Sequence, residues 1–195
     1  MAYDSTATKE RILTAATAEF AAHGVAGARV DRIAAQARAN KRAIYDYFGD
    51  KDKLFAAVLE RLMADLAEAV PPGDDDLPAY AERLFDHHRA HPEALRLLLW
   101  EALELGDRPV PGEEARTRHY RDKVRAVGGE DSRTRLFLAL GLVGWSLAMP
   151  QLRRMILGPD DGPGGDPERA LDRLRSDIAR AVRALPATGP AAEQA

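Results

Sequence analysis

Four stretches of helical periodicity crowd into the first 68 residues and stop at a segment that cannot continue a helix. From Thr8, the residues Ile12, Leu13, Ala16 and Phe20 recur at steps of three and four, and Gly24 is placed as a C-cap. This predicts a first helix ending near His23 and a loop from Val25 to Arg29. A short apolar face, Val30, Ile33, Ala34 and Ala37, leads through the polar step Arg38, Ala39, Asn40 into a third helix, Lys41 to Phe48, with Asn40 as its N-cap. Gly49 and Asp50 break and recap the chain, and Leu54, Val58, Leu62 and Leu66 mark a fourth helix. The run Pro71, Pro72, Gly73, Asp74, Asp75, Asp76, Leu77, Pro78 then forms the boundary between two units.

Beyond that boundary the predicted helices are longer. Ala79 to Arg89 and Pro92 to Leu105 are amphipathic, and Glu113 to Val127 lies between Pro/Gly loops. Ser132 to Met149 is apolar on nearly every side, which implies burial on all faces, with another subunit as a source of partner surface. Gly158 to Pro167 reads as a mobile connector, and Pro167 to Leu185 carries a seam of Leu171, Leu174, Ile178, Ala181 and Leu185. The tail 186–195 is expected to be disordered. The fold class is therefore all-α, which the composition supports: aromatics are 6% of residues and clusters of valine and isoleucine are absent.

The absence of cysteine excludes disulfide scaffolds, thiolate zinc sites and cysteine nucleophiles, and fits a cytoplasmic chain. Met1 to Arg11 has no apolar core of a signal peptide. The longest uncharged stretch, Leu136 to Leu152, contains Gly141, Gly144, Ser146, Pro150 and Gln151, so it reads as a buried helix and not a membrane span.

The net charge of −3 hides an uneven distribution. From Gly27 through Lys53, seven cations face four anions, a local +3, and four of the five lysines precede residue 54. One end of the chain can meet a polyanion that the remainder would repel. Two short helices joined by a three-residue step, with Lys41, Arg42 and Ala43 opening the second, form a helix-turn-helix candidate over 29–48. A single helix fills the major groove of B-DNA, and its first residues reach base edges. Tyr45 and Tyr47 can reach phosphates, Ile44 and Phe48 can point into a core, and Lys51 stands at the start of the next helix, where backbone N–H groups favour an anion. Periodicity alone does not separate this reading from two amphipathic helices of a larger bundle with solvated charges.

The run Arg32-Ile33-Ala34-Ala35-Gln36-Ala37, followed by Asn40-Lys41-Arg42-Ala43-Ile44-Tyr45-Asp46-Tyr47-Phe48-Gly49-Asp50-Lys51-Asp52-Lys53-Leu54-Phe55, closely resembles the signature of the tetracycline-repressor (TetR/AcrR) family of bacterial transcriptional regulators. The resemblance covers about residues 6–66. It implies an N-terminal three-helix DNA-binding domain over 6–66, a helical effector-binding and dimerisation domain over 77–185, and a homodimer on a palindromic double-stranded DNA operator. Arg29, Lys41, Arg42, Ala43, Tyr45, Asp46, Tyr47 and Lys51 become the candidate DNA contacts, with Ile44, Phe48 and Leu54 as core. The two helices Ser132 to Met149 and Pro167 to Leu185 would pair across the dimer, and the fourth helix would be the lever between head and body.

The chain departs from the family pattern in several places. Arg38 stands where glycine is usual, which puts a left-handed turn there in doubt. Arg29 replaces a Ser/Thr cap, so that cap must come from elsewhere. Ala43 lacks a usual hydroxyl, and Asp46 either accepts from a cytosine amino group or orients an arginine.

Trp100, Trp145 and Met149 are candidates to line a cavity for an unidentified small-molecule effector, although each is equally at home in a core. His87 and His91, four apart, are expected on one helix face, as pocket lining and not a metal site. Asp74 to Asp76 reads as a solvated loop, and no cofactor, metal or membrane is called for. An enzyme would need a phosphate loop, a nucleophile with its base, or convergent carboxylates, and the sequence shows none; Gly162 to Gly165 follows no strand and lacks a lysine. An architectural DNA-binding protein without a ligand is the other rival, for which so large an acidic second half would be superfluous.

Overall fold

In the computed structural model, residues 5–71, 76–158 and 166–186 are described, and they form ten helices and no strand. The expectations for Asp74 and Asp75, for 159–165 of the connector and for 187–195 of the tail fall outside them. The helices are α1 Ser5–Gly27, α2 Val30–Ala37, α3 Lys41–Phe48, α4 Lys51–Ala69, α5 Leu77–Ala90, α6 Pro92–Leu105, α7 Glu113–Val127, α8 Ser132–Ala148, α9 Pro150–Leu157 and α10 Pro167–Arg183. They divide into two compact units, Met1–Glu68 with His91–Glu113, and Ala69–Ala90 with Glu114–Ala195.

In the first unit the periodic residues of α1 to α4 converge on one core. Ile12, Ala16, Phe20, Ile33, Ile44, Leu54, Val58 and Leu59 are buried together, with the rings of Phe20 and Phe55 edge to face at 5.1 Å. Leu97 of α6 belongs to the same cluster, because α6 packs along α1. The first helical run of α1 ends at His23, as the periodicity suggested, where Gly24 breaks it at φ 67°; residues 25–27, expected as loop, continue as a further helical turn through Gly27. The indole of Trp100 lies over that break, where a Cβ at Gly24 would sit 2.9 Å from ring carbons. Arg96 on the same helix donates to the Ala21 carbonyl at 2.9 Å.

The second unit is built on α5, which packs against α10 and α8 and buries Leu84, Phe85, Leu136, Val143, Ile178 and Val182. Helix α8 leaves Phe137, Leu138, Leu142 and Trp145 exposed along one side of the single chain, so the burial on all faces expected for it needs another subunit's surface. One sequence expectation changes in the stretch that follows. Residues 150–157, given no helix from sequence, form α9, which Pro150 starts at a position where its missing N–H costs nothing. The long uncharged stretch is therefore two helices bent by 89°, and no single helix among the described residues is long and apolar enough to cross a membrane. Along the α10 seam Ile178 is buried, Leu171, Leu174 and Leu185 are half-buried and Ala181 is exposed, while Arg173, Asp177 and Arg180 face solvent. Ion pairs from Arg89 to Asp172 at 2.7 Å and from Arg175 to Asp86 at 2.8 Å fasten α10 to α5.

Candidate nucleic-acid interface

Helix α2 contributes only eight residues, too few to be stable alone, so its ends must be held by neighbours. At its C-terminus Arg38 adopts φ 50°, ψ 43°, and the Arg38 and Ala39 N–H groups return to the carbonyls of Ala35 and Ala34. This is the left-handed cap usually given to glycine, so the doubt raised by an arginine there is resolved in favour of the turn. At its N-terminus no side chain of Arg29 caps the helix. The missing cap comes from Glu19 on α1, whose Oε1 accepts the Arg29 N–H at 2.9 Å and whose two oxygens accept Arg32 Nε at 2.7 and 3.0 Å.

Glu19 is only 6% exposed, and the Arg32 hydrogen bond, outweighing the effect of burial, holds its carboxyl below the usual range. Sequence reasoning missed it. The signal was present, because position 19 falls on the buried stripe 12, 15, 16, 20, where a carboxylate demands a partner.

Helix α3 starts as the sequence implied: the Asn40 side chain accepts the Arg42 N–H at 2.8 Å. Ile44 alone is fully buried in it, and Phe48 is half-buried against the core. The outer face carries Lys41, Arg42, Tyr45 and Asp46, all exposed, with Ala43 half-buried. Arg42 is 87% exposed, and its Nε lies 3.8 Å from Asp46 one turn on, a spacing at which the carboxylate biases the guanidinium without immobilising it. Lys41 Nζ sits 2.8 Å from Asp31 of α2, whose hydrogen bond raises the lysine pKa. Tyr47 is not on that outer face: its ring is half-buried against the core, with Lys9 Nζ 5.2 Å above it.

Gly49 at φ 86° turns the chain, and Asp50 recaps it by accepting the Lys53 N–H at 2.8 Å. Lys51 opens α4, with Nζ 3.5 Å from the carbonyls of Ala26 and Ala28. Its ammonium thus stands beside the α1–α2 corner, and the exposed Arg29 side chain extends from that corner. The result is an exposed, cation-bearing helix flanked by two further cations, an arrangement that suits a groove in a polyanion.

The effector candidates are divided between the two units. Trp100 belongs to the first unit, stacked on Gly24. His87 and His91 do not share a helix face, since α5 stops at Ala90 and His91 is the N-cap residue of α6, with Nδ1 3.3 Å from Glu93. His87 instead meets His88 ring to ring at 5.7 Å. Trp145 and Met149 do share a site, an open cleft of about 170 Å³ between α8, α9 and α10 that also takes in Leu152, Ile156 and Leu174. Elsewhere in the second unit, Lys123 is 3% exposed and donates to the Tyr80 hydroxyl at 2.6 Å. Burial pushes the lysine down to about 8 and the tyrosine up.

Residues 12–58 match the family model for bacterial regulatory proteins of the tetR family, and residues 76–183 match that for the tetracyclin repressor-like C-terminal domain. The chain is 47% identical over 194 residues to the HTH-type transcriptional repressor SCO4008 of Streptomyces coelicolor, covering 94% of this chain and 97% of that one. Its structure aligns with that of SCO4942 from Streptomyces coelicolor at a TM-score of 0.73, with 36% identity over 90% of this chain and 96% of the other. It also aligns with a TetR-like transcriptional regulator from Rhodococcus sp. RHA1 at a TM-score of 0.58, with 25% identity over 91% and 97% of the two chains. With a capped, cation-bearing α3 projecting from a three-helix head, and with matches that extend through both units, the chain belongs to the tetracycline-repressor family of DNA-binding transcriptional regulators.

Proposed function

We propose that the protein is a ligand-responsive repressor that binds an inverted-repeat operator as a homodimer in the cytoplasm. The observation that carries this reading is the exposed face of α3, where Arg42 and Tyr45 stand free of the core and Asn40 fixes the first turn. Arg42 reads a base edge in the major groove and Asp46 orients it; Lys41, Tyr45, Lys51 and Arg29 hold phosphates, and Ala43 permits close approach. Tyr47 fixes α3 on its core with its ring, and its hydroxyl is a further candidate for a phosphate. Residues 6–66 form the DNA-binding part and residues 77–185 the effector-binding and dimerising part.

Dimerisation rests on the exposed α8 stripe, Phe137, Leu138, Leu142 and Trp145, an apolar area that a lone subunit would leave in water. Paired subunits present two α3 helices to successive major grooves, which makes the site an inverted repeat. The effector would enter the cleft lined by Trp145 and Met149, and coupling of roughly 1 to 3 kcal/mol gives a 5- to 150-fold release. The repressor assignment follows the Streptomyces relative, which is a transcriptional repressor. Footprinting on the DNA flanking the protein's own gene tests the reading: two protected half-sites about one helical turn apart are expected, and uniform or absent protection contradicts it.

A further inference from the structure

Helix α1 touches no DNA in this reading, yet it holds α2 by both ends. At the α2 N-terminus Glu19 accepts the Arg29 N–H on Oε1 and Arg32 Nε across both its oxygens, and Arg32 Nη2 donates in turn to the Gly27 carbonyl at 3.0 Å. At the α2 C-terminus Arg11 Nε donates to the Ala37 carbonyl at 3.1 Å, braced by Nη2 on Thr8 Oγ1 at 3.1 Å. The signs are those the helix dipole demands, an anion at the amino end and a cation at the carboxyl end. In an ordinary capping box the carboxylate reaching the N-cap N–H comes from the third residue of the same helix. Here that third residue is Arg32, and the carboxylate comes from α1. The cap therefore fixes where α2 sits as well as whether it is helical.

We infer that Arg11 and Glu19 are positioning residues for DNA recognition, an external clamp that sets α2, and through the left-handed Arg38 corner α3, at the height from which Arg42 reaches a base edge. This rests on the DNA-binding role proposed for α3. A slack clamp leaves the cations of α3 in place, so non-specific attraction to phosphates survives, while base readout, which tolerates little displacement, does not.

The experiment uses the full chain and the duplex that the wild-type protein enriches from a random-sequence pool, with an unrelated duplex of equal length as control. Glu19→Ala and Arg11→Met are each expected to lower affinity for the enriched duplex at least tenfold and to change affinity for the control by less than about twofold. The double variant Glu19→Ala/Arg32→Gln supplies, from the third residue of α2 itself, the acceptor for the Arg29 N–H, so it is expected to recover thermal stability without recovering the enriched-duplex affinity. If it recovers both, Glu19 acts only as a helix cap and the inference is overturned. Equal affinity of Glu19→Ala and wild type for the enriched duplex also overturns it. Should Glu19→Ala not fold, Glu19→Gln, which keeps an acceptor for the Arg29 N–H but loses the charge facing Arg32, is expected to lose affinity for the enriched duplex threefold or more, and no loss overturns the inference. Failure of the wild type to enrich any sequence would instead count against the DNA-reading role itself.

Discussion

At the residue scale, each cation of the head has a different degree of freedom, and that sets what it can do. Lys51 is partly withdrawn against the Ala26 and Ala28 carbonyls and can offer a phosphate only a point charge. Lys51→Ala should therefore weaken binding to all duplexes alike and reduce the salt slope by about 1, read from affinities at several salt concentrations; a change in sequence preference would contradict the assignment. Lys123, in the second unit, has the opposite circumstance: it is buried, with no carboxylate in salt-bridge distance among the described residues. Folding lowers its pKa from 10.5 to about 8, so between those values the unfolded chain binds more protons and stability rises with pH. From pH 8 to 10 denaturant unfolding should show a gain of about 2 kcal/mol that is absent in Lys123→Met. Equal pH profiles for the two proteins would refute the burial argument.

At the element scale, the α2–α3 corner is the part that most needs a specific backbone. A non-glycine residue in the left-handed region costs about 1 to 2 kcal/mol, and Arg38 bears that cost at φ 50°. Arg38→Gly should raise stability by about 1 kcal/mol, or roughly 2 to 4 °C in thermal unfolding, and a decrease would mean that the arginine side chain makes a compensating contact. The elements themselves were legible from the sequence. Steps of three and four gave α1 to α4, Asn40 marked the start of α3, and the Pro/Asp run marked the break after α4. What was not legible depends on partners distant in the chain. Nothing local says that Trp100 closes over Gly24, 76 residues away, or that Glu19 supplies the cap Arg29 lacks. His87 and His91 looked like one face because four-residue spacing presumes a continuous helix, and the break at Ala90, before Pro92, removes that premise. Helix α9 was hidden because Pro150 reads as an interruption of the uncharged stretch, whereas proline also opens a helix.

At the scale of the whole molecule, the exposed apolar side chains of the second unit gather on α8 and α9, while the outward face of α10 is charged. The dimer is therefore expected through α8 and α10, with the exposed α8 side chains supplying most of the apolar contact, while Ile178 itself is buried within its own subunit. Light scattering at micromolar concentration without DNA should give twice the chain mass for the wild type and the single-chain mass for Phe137→Glu/Trp145→Glu; a monomeric wild type would contradict the two-fold assembly. Helix α6 packs on α1 in the same unit as the recognition helix.

Enrichment of duplexes from a random-sequence pool by the wild type and by Arg42→Ala bears most directly on whether α3 reads DNA. The wild type should enrich an inverted repeat, and Arg42→Ala should lose preference at one symmetry-related pair of positions, at about 1 to 3 kcal/mol for a bidentate contact, while keeping the rest. The same enriched sequence from both proteins, or no enrichment by the wild type, would contradict base reading by α3.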